Sequence, residues 1–263
     1  MMSNLEILRE NNPLVVCYTN DVVKNFSANG LLSLGASPAM SEAPEEAADF
    51  FGVAGGLVIN IGTITEGRAK DMLSIARTAN QKGTPIVFDP VAVGASQYRK
   101  AFSAQFLDEI DVAVIKGNAS EIQTLIDSET TMKGTESADD LDVVEIARKA
   151  HETFNTAIVV TGKDDVVAHQ GQVIKLSNGS PMLAKITGAG CLLGAVVAAF
   201  LQRETNPDAE TLVEAVGVYN IAAEHAQQHT DDQGPGSFLT ALMDALYHIT
   251  SEDVAQQLKK EVI

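Results

Sequence analysis

The chain has 263 residues, 45% of them hydrophobic, and 18 Lys+Arg stand against 35 Asp+Glu, a net charge of −17. Such a field repels nucleic-acid phosphates and anionic membranes, so neither is expected as a partner, and any phosphate site must rest on local backbone dipoles, a few cations and a metal. With only Cys17 and Cys191, no secretory signal and no apolar run long enough for a membrane span, a cytoplasmic protein without a disulfide framework is expected.

A short helix is predicted around Leu5–Arg9, then a strand at Leu14–Cys17 after Pro13. Asp21 is placed to cap a helix from Val22 that carries Phe26, Leu31 and Leu34 and stops at Gly35. Ser37-Pro38-Ala39-Met40 reads as extended, because a residue before proline avoids the α region, and a helix follows from Pro44 to about Ala54. The middle of the chain then repeats one theme. Strands Leu57–Ile61, Pro85–Phe88, Val112–Ile115 and Ala157–Val160 alternate with helices at about Thr65–Gln81, Ser96–Leu107, Ala119–Ile126 and Leu141–Phe154. The last of these helices shows a stripe at Val143, Ala147, Ala150 and Phe154. This alternation predicts an α/β fold in three layers, a mostly parallel central sheet flanked by helices on both faces.

Val166–His169 and Gln172–Leu176 form a predicted hairpin about Gly171. Leu183–Glu204 follows, a short extended segment running into Thr187-Gly188-Ala189-Gly190-Cys191 and then an apolar helix with almost no polar side, hence a buried one. A long helix from Pro207 to Gln228 and two more after Gly234-Pro235-Gly236 complete the chain, the last amphipathic and frayed. No linker, low-complexity tract or repeat interrupts it, so one domain over 1–263 is expected.

The entrance to the apolar helix carries the chemistry. Gly188 and Gly190 have no β-carbon and admit a ligand close to the backbone. The unpaired N–H groups and positive dipole end of the helix make an anion site, suited to a phosphoryl group in transit. Cys191 lies in that first turn, where the helix terminus is expected to lower its pKa. The other reading is a glycine turn leading into a core helix.

The strands end in Asn60-Ile61-Gly62-Thr63, Asp89-Pro90, Lys116-Gly117-Asn118 and Thr161-Gly162, which a parallel sheet gathers along one edge, where ligands bind. Asp89 alone is more often a turn former or helix cap, and it is the co-occurrence of these strand ends that points to a site. Asn118 and Glu121 read as a capping box, or Glu121 orders the waters of a Mg²⁺ ion with Asp89 nearby. Lys116 offers a point charge for phosphate, or is a surface lysine. His225 and His229 have helical ligand spacing but no acidic partner, and read as a solvated face; distance in sequence leaves a Cys–His pairing of Cys191 open, with nothing supporting it.

TGAGCLLGAV at 187–196, IVFDPVAVGAS at 86–96, VIKGNASEI at 114–122 and TNDVVKNFSANGLLSLGASPAMSEAPEEA at 19–47 together resemble bacterial hydroxyethylthiazole kinases over nearly the whole chain. The resemblance implies a ribokinase-like fold and a homotrimer with active sites between subunits. It also implies ATP-dependent phosphorylation of 4-methyl-5-(2-hydroxyethyl)thiazole in thiamine salvage. By position, Met40 and Gly188 match thiazole contacts, Lys116 and Thr161 ATP contacts, and Asp89 and Glu121 the acids associated with Mg²⁺. Some members have arginine at Lys116, so here the charge is kept without a bidentate fork. Many members of the wider superfamily read GAGD, with an aspartate base where Cys191 stands. The rival readings are a kinase of the same fold acting on hydroxymethylpyrimidine or another small alcohol, and a non-catalytic thiazole-binding protein, which has no need of Asp89, Glu121 and the glycine anion site together.

Overall fold

The computed structural model describes residues 2–127 and 142–263. Nine strands form one sheet in the order β2-β1-β3-β4-β5-β6-β7-β8-β9. They are β1 (Leu14–Tyr18), β2 (Ser37–Ala39), β3 (Gly56–Asn60), β4 (Ile86–Asp89), β5 (Val114–Asn118), β6 (Ala157–Thr161), β7 (Asp165–His169), β8 (Gln172–Leu176) and β9 (Lys260–Val262). Every pairing from β2 across to β6 is parallel, and β6 to β9 are joined antiparallel.

Strand periodicity divides the interior in two. Val15, Cys17, Val58, Val87, Val114, Ala157 and Val159 face one apolar core, shared with helices α1 (Asn4–Asn11), α2 (Lys24–Leu34), α8 (Ala189–Leu201), α9 (Ala209–His229) and α10 (Pro235–His248). Their neighbours Val16, Tyr18, Leu57, Ile59, Phe88, Ile115 and Ile158 face the other, shared with α4 (Glu66–Lys82), α5 (Gln97–Glu109), α6 (Ala119–Ile126) and α7 (Val143–Phe154). Side chains of a strand alternate between faces, so near-continuous apolar runs mean that both faces are covered. The expected three layers are present. Every residue of α8 from Leu192 to Leu201 is buried, which explains the missing polar side.

Several expectations need correction. Asp21 does not cap α2, which begins at Lys24 without a side-chain cap. Asn20 accepts the Val22 N–H instead, and Asp21 turns outward to Lys24 and Arg68. The helix expected over Pro44–Ala54 breaks into a 3-10 turn at Pro44–Glu46 and a single α-turn, α3 (Ala47–Phe50). The segment before Thr187 is not extended but a 3-10 turn over Pro181–Lys185, where Ser180 Oγ accepts the Met182 N–H. After α11 (Ser251–Gln257) comes β9, unforeseen because three polar-flanked residues carry no strand pattern of their own. Leu141, the expected start of α7, lies outside the described residues; Asp142 caps that helix. Among the described residues no helix is long and apolar enough to cross a membrane.

Candidate functional site

The register brings the polar strand ends into a row. Asn60 is paired with Asp89 across β3 and β4, and Asn118 with Thr161 across β5 and β6. The first turn of α8 stands over this row. A β-carbon at Gly190 would lie 3.2 Å from Lys116 Nζ, and one at Gly194 would lie 3.7 Å from Asp89 Oδ2. The helix therefore rests on the buried acid and its cation with nothing between.

Asp89 is fully buried. Its Oδ2 accepts from Asn60 Nδ2 at 2.7 Å, and Lys116 Nζ lies 3.5 Å from Oδ1. Burial pushes this carboxyl up to about 6, with Lys116 and Asn60 pulling it down and Glu121 pushing it up. Burial alone would lower the Lys116 ammonium, but the acids Asp89 and Glu121 and the Cys191 thiol hold it above its ordinary value. Lys116 is not the surface lysine of the simpler reading: it is 3% exposed.

Cys191 is half-buried, and two amides point at its sulfur, Asn60 Nδ2 at 3.3 Å and Asn20 Nδ2 at 3.5 Å. Asn60 Oδ1 accepts from Asn20 Nδ2 at 3.0 Å and from the Gly62 N–H at 3.0 Å, so the two asparagines form one unit. The expected lowering of the thiol pKa is overturned. Burial raises it, Asp89 raises it further, and Lys116 and the two amides only partly offset this. The helix terminus loses to burial and to the acid beneath it. A raised pKa means less thiolate near neutral pH, so iodoacetamide should alkylate Cys191 more slowly than a free cysteine. The rate should still climb above about pH 8.5, the ordinary thiol value. Cys17, buried and pushed up to about 12, should stay unmodified, so peptide mapping reads Cys191 alone. A plateau near neutral pH would show a thiolate instead.

The two glycines differ. Gly188 caps α8 at φ 89°, in the left-handed region, and a β-carbon there would meet Val23 Cγ1 at 2.5 Å. Gly190 has an ordinary helical backbone and is constrained only by Lys116. Glu121 makes the capping box of the first reading and one bond beyond it. Its Oε2 accepts the Asn118 N–H at 2.9 Å in a true capping box. Its Oε1 accepts the Ala92 N–H at 2.8 Å, which ties α6 to the loop after β4. A simple cap has no need of that second bond.

Among the described residues no group of three or more His, Cys, Asp or Glu could enclose a metal. The donor set instead suits Mg²⁺ held largely by waters and phosphate oxygens, since each Glu121 oxygen accepts only one N–H and keeps acceptor capacity. His225 and His229 do not share a ligand: His225 Nε2 meets Gln257 Oε1 at 3.0 Å, and His229 Nδ1 meets the His225 carbonyl at 2.9 Å.

Thr161, half-buried at the end of β6, is two strands from Asp89 along the same edge. Met40 is apart from this group. It follows the edge strand β2, beyond β1, and packs half-buried on the core around α8. Glu42, two residues on, is held by Lys24 at 2.6 Å and by Arg68, whose guanidinium also lies over the Tyr18 ring.

Asn20 and Arg99 escaped the sequence reading of the site, and Asn60 entered it only as one of the polar strand ends. Arg99 donates to the carbonyls of Ile61, Gly62 and Val91 at 2.6–2.8 Å and thereby holds the loops after β3 and β4. Carbonyl acceptors leave no sequence signal. The asparagines did leave one, a polar residue directly at the end of an apolar strand, but it resembles that of a turn.

Comparison with known proteins identifies the family. The sequence profile of the hydroxyethylthiazole kinase family matches residues 5–252. The chain is 66% identical over 262 residues to a hydroxyethylthiazole kinase of Staphylococcus haemolyticus, with both chains covered in full. The structure of the hydroxyethylthiazole kinase protein from Pyrococcus horikoshii OT3 is 36% identical, with a TM-score of 0.89 over 99% of this chain and 97% of the other. A ribokinase-like superfamily protein from Enterococcus faecalis, 15% identical, superposes with a TM-score of 0.63 over 93% of this chain and 94% of the other, a likeness of fold alone. The fold is ribokinase-like, and the chain belongs to the hydroxyethylthiazole kinase family.

Proposed function

We propose that the protein transfers the γ-phosphoryl group of ATP to the hydroxyl of 4-methyl-5-(2-hydroxyethyl)thiazole, yielding the phosphate ester and ADP, in thiamine salvage. Membership of a kinase family carries the use of ATP. The observation that favours transfer at this edge is the first turn of α8 set on the buried Asp89–Lys116 pair, with Cys191 beside it. The turn's free N–H groups and Lys116 stabilise negative charge on the transferring group, and Gly188 and Gly190, lacking β-carbons, let the turn settle against Val23 and Lys116.

Cys191, protonated near neutral pH, does not draw the hydroxyl proton as a thiolate. Positioning and charge stabilisation then carry the step, which suits a loose transition state in which the acceptor loses its proton late. Asn20 and Asn60 hold Cys191 and the neighbouring acceptor position in place. Lys116 and Thr161 face ATP from β5 and β6. Glu121 and Asp89 would serve Mg²⁺ through its waters, and the ion supplies neutralisation of phosphate charge. ADP release, assayed with the thiazole alcohol and in parallel with hydroxymethylpyrimidine, with and without Mg²⁺, tests this. Turnover that favours hydroxymethylpyrimidine would overturn the choice of substrate.

Met40 at the sheet edge supports a thiazole pocket completed by a neighbouring subunit of a trimer. Met40→Glu should raise the KM for the thiazole alcohol at least about tenfold while that for ATP stays within about threefold, because an unpaired carboxylate is set against an apolar ring. Sedimentation should give a trimer. A fully active monomer would overturn this placement.

A further inference from the structure

Two adjacent residues of α9 reach two separate parts of the site. Tyr219 Oη donates to the Ala189 carbonyl in the first turn of α8 at 2.9 Å. Asn220 Nδ2 donates to Asp165 Oδ2 at 2.7 Å, and Asp165 Oδ1 accepts the Gly162 N–H at 2.9 Å. Asp165 is 6% exposed and Asn220 3%. A carboxylate so deeply buried is costly: burial raises its pKa, and Asn220, Gly162 and the Lys116 ammonium only draw it back. Well-packed apolar residues of similar volume often stabilise such a place as well or better. The acid and amide are therefore explained by what they hold, not by stability.

What they hold is the peptide of Gly162, directly after Thr161 at the end of β6. The same helix fixes α8 through Tyr219, so α9 sets the distance between the two. We propose that Asp165 and Asn220 are positioning residues for ATP, acting through Gly162 to hold the Thr161–Gly162 backbone in its ATP-binding geometry. This rests on the assignment of Thr161 as an ATP contact.

The test is ATP affinity by equilibrium titration, alongside both KM values, for Asp165→Ala, Asp165→Asn, Asn220→Ala and Thr161→Glu, with circular dichroism and thermal melts as folding controls. Asp165→Ala should weaken ATP binding at least about tenfold while the KM for the thiazole alcohol stays within about threefold. Asp165→Asn should recover most of the loss, since its amide oxygen still accepts from Gly162 and Asn220 can turn its own oxygen to the new NH₂. A purely structural role would depress both affinities together and would show no such recovery. Unchanged ATP affinity in Asp165→Ala, an equal loss for both substrates, or an Asp165→Asn as impaired as Asp165→Ala would overturn the proposal. Should Asp165→Ala not fold, Asn220→Ala decides, with a loss of at least about threefold for ATP alone expected and no loss overturning it. Thr161→Glu separates the two levels. If it leaves ATP binding intact, the ATP assignment fails and the positioning role with it. If it blocks ATP while Asp165→Ala does not, the positioning role alone fails.

Discussion

Gly190→Val is expected to give a folded protein that has lost turnover, with kcat lower by about 10³ or more, roughly 4 kcal/mol of transition-state stabilisation. The reason is not backbone strain, because Gly190 has a helical conformation open to any residue. It is the ammonium beneath. A β-carbon would already lie 3.2 Å from Lys116 Nζ, which is buried and tied to Asp89, and the two methyl groups of valine need more room still. They displace the cation or fill the approach to the α8 amides. Helix propensity favours valine over glycine by less than about 1 kcal/mol, whereas parting Lys116 from Asp89 costs several, so circular dichroism and a thermal melt must show a folded variant for the loss to be assigned to the site.

Two further variants separate the glycine geometry from the thiol. Cys191→Ala should retain measurable activity, since the anion site and Lys116 remain. Cys191→Asp should retain more, because the amides of Asn20 and Asn60 already point at that position and can receive a carboxylate. A covalent role for Cys191 requires instead that both be inactive and that a labelled enzyme intermediate can be trapped. Steady-state rates with circular dichroism decide. A folded but wholly inactive Cys191→Ala would overturn the assignment of this turn as an anion site.

Glu121→Gln is expected to lower kcat by about two orders of magnitude, on the order of 3 kcal/mol, and to raise the Mg²⁺ concentration needed for half-maximal rate. It should also lower stability. Each carboxylate oxygen accepts a backbone N–H, from Asn118 and from Ala92, whereas glutamine has one oxygen and presents NH₂ to the other donor. Both N–H groups are exposed and water takes up the freed donor, so the cost is that of one net hydrogen bond, roughly 0.5–1.5 kcal/mol. A residue that served only as a cap would show the loss of stability with kcat within a few-fold of wild type at saturating Mg²⁺. Melting curves and rates measured across a Mg²⁺ titration distinguish the two.

Sequence alone determined the three layers, because runs such as Leu57–Ile61 and Ala157–Val160 leave no polar face and so need cover on both sides. It placed the apolar helix with its glycine entrance, and it gathered Asp89, Lys116, Glu121 and Thr161 on one edge, since parallel strands must end together. It also supplied the family, through four motifs spread over the chain. What it did not contain is sign and depth. Whether Cys191 is held low by a helix terminus or high by its surroundings depends on how deeply the fold buries it and on Asp89, far earlier in the chain, lying under the same turn. Whether Lys116 is surface or core depends on α8 closing over it, and whether Glu121 is only a cap depends on a loop after β4. The pairing of Asp165 with Asn220 spans fifty-five positions and leaves no local pattern. Local periodicity records which face of an element is dry, but a pKa or a buried bond is set by whatever other elements bring within a few ångströms, and only the assembled sheet and helices decide that.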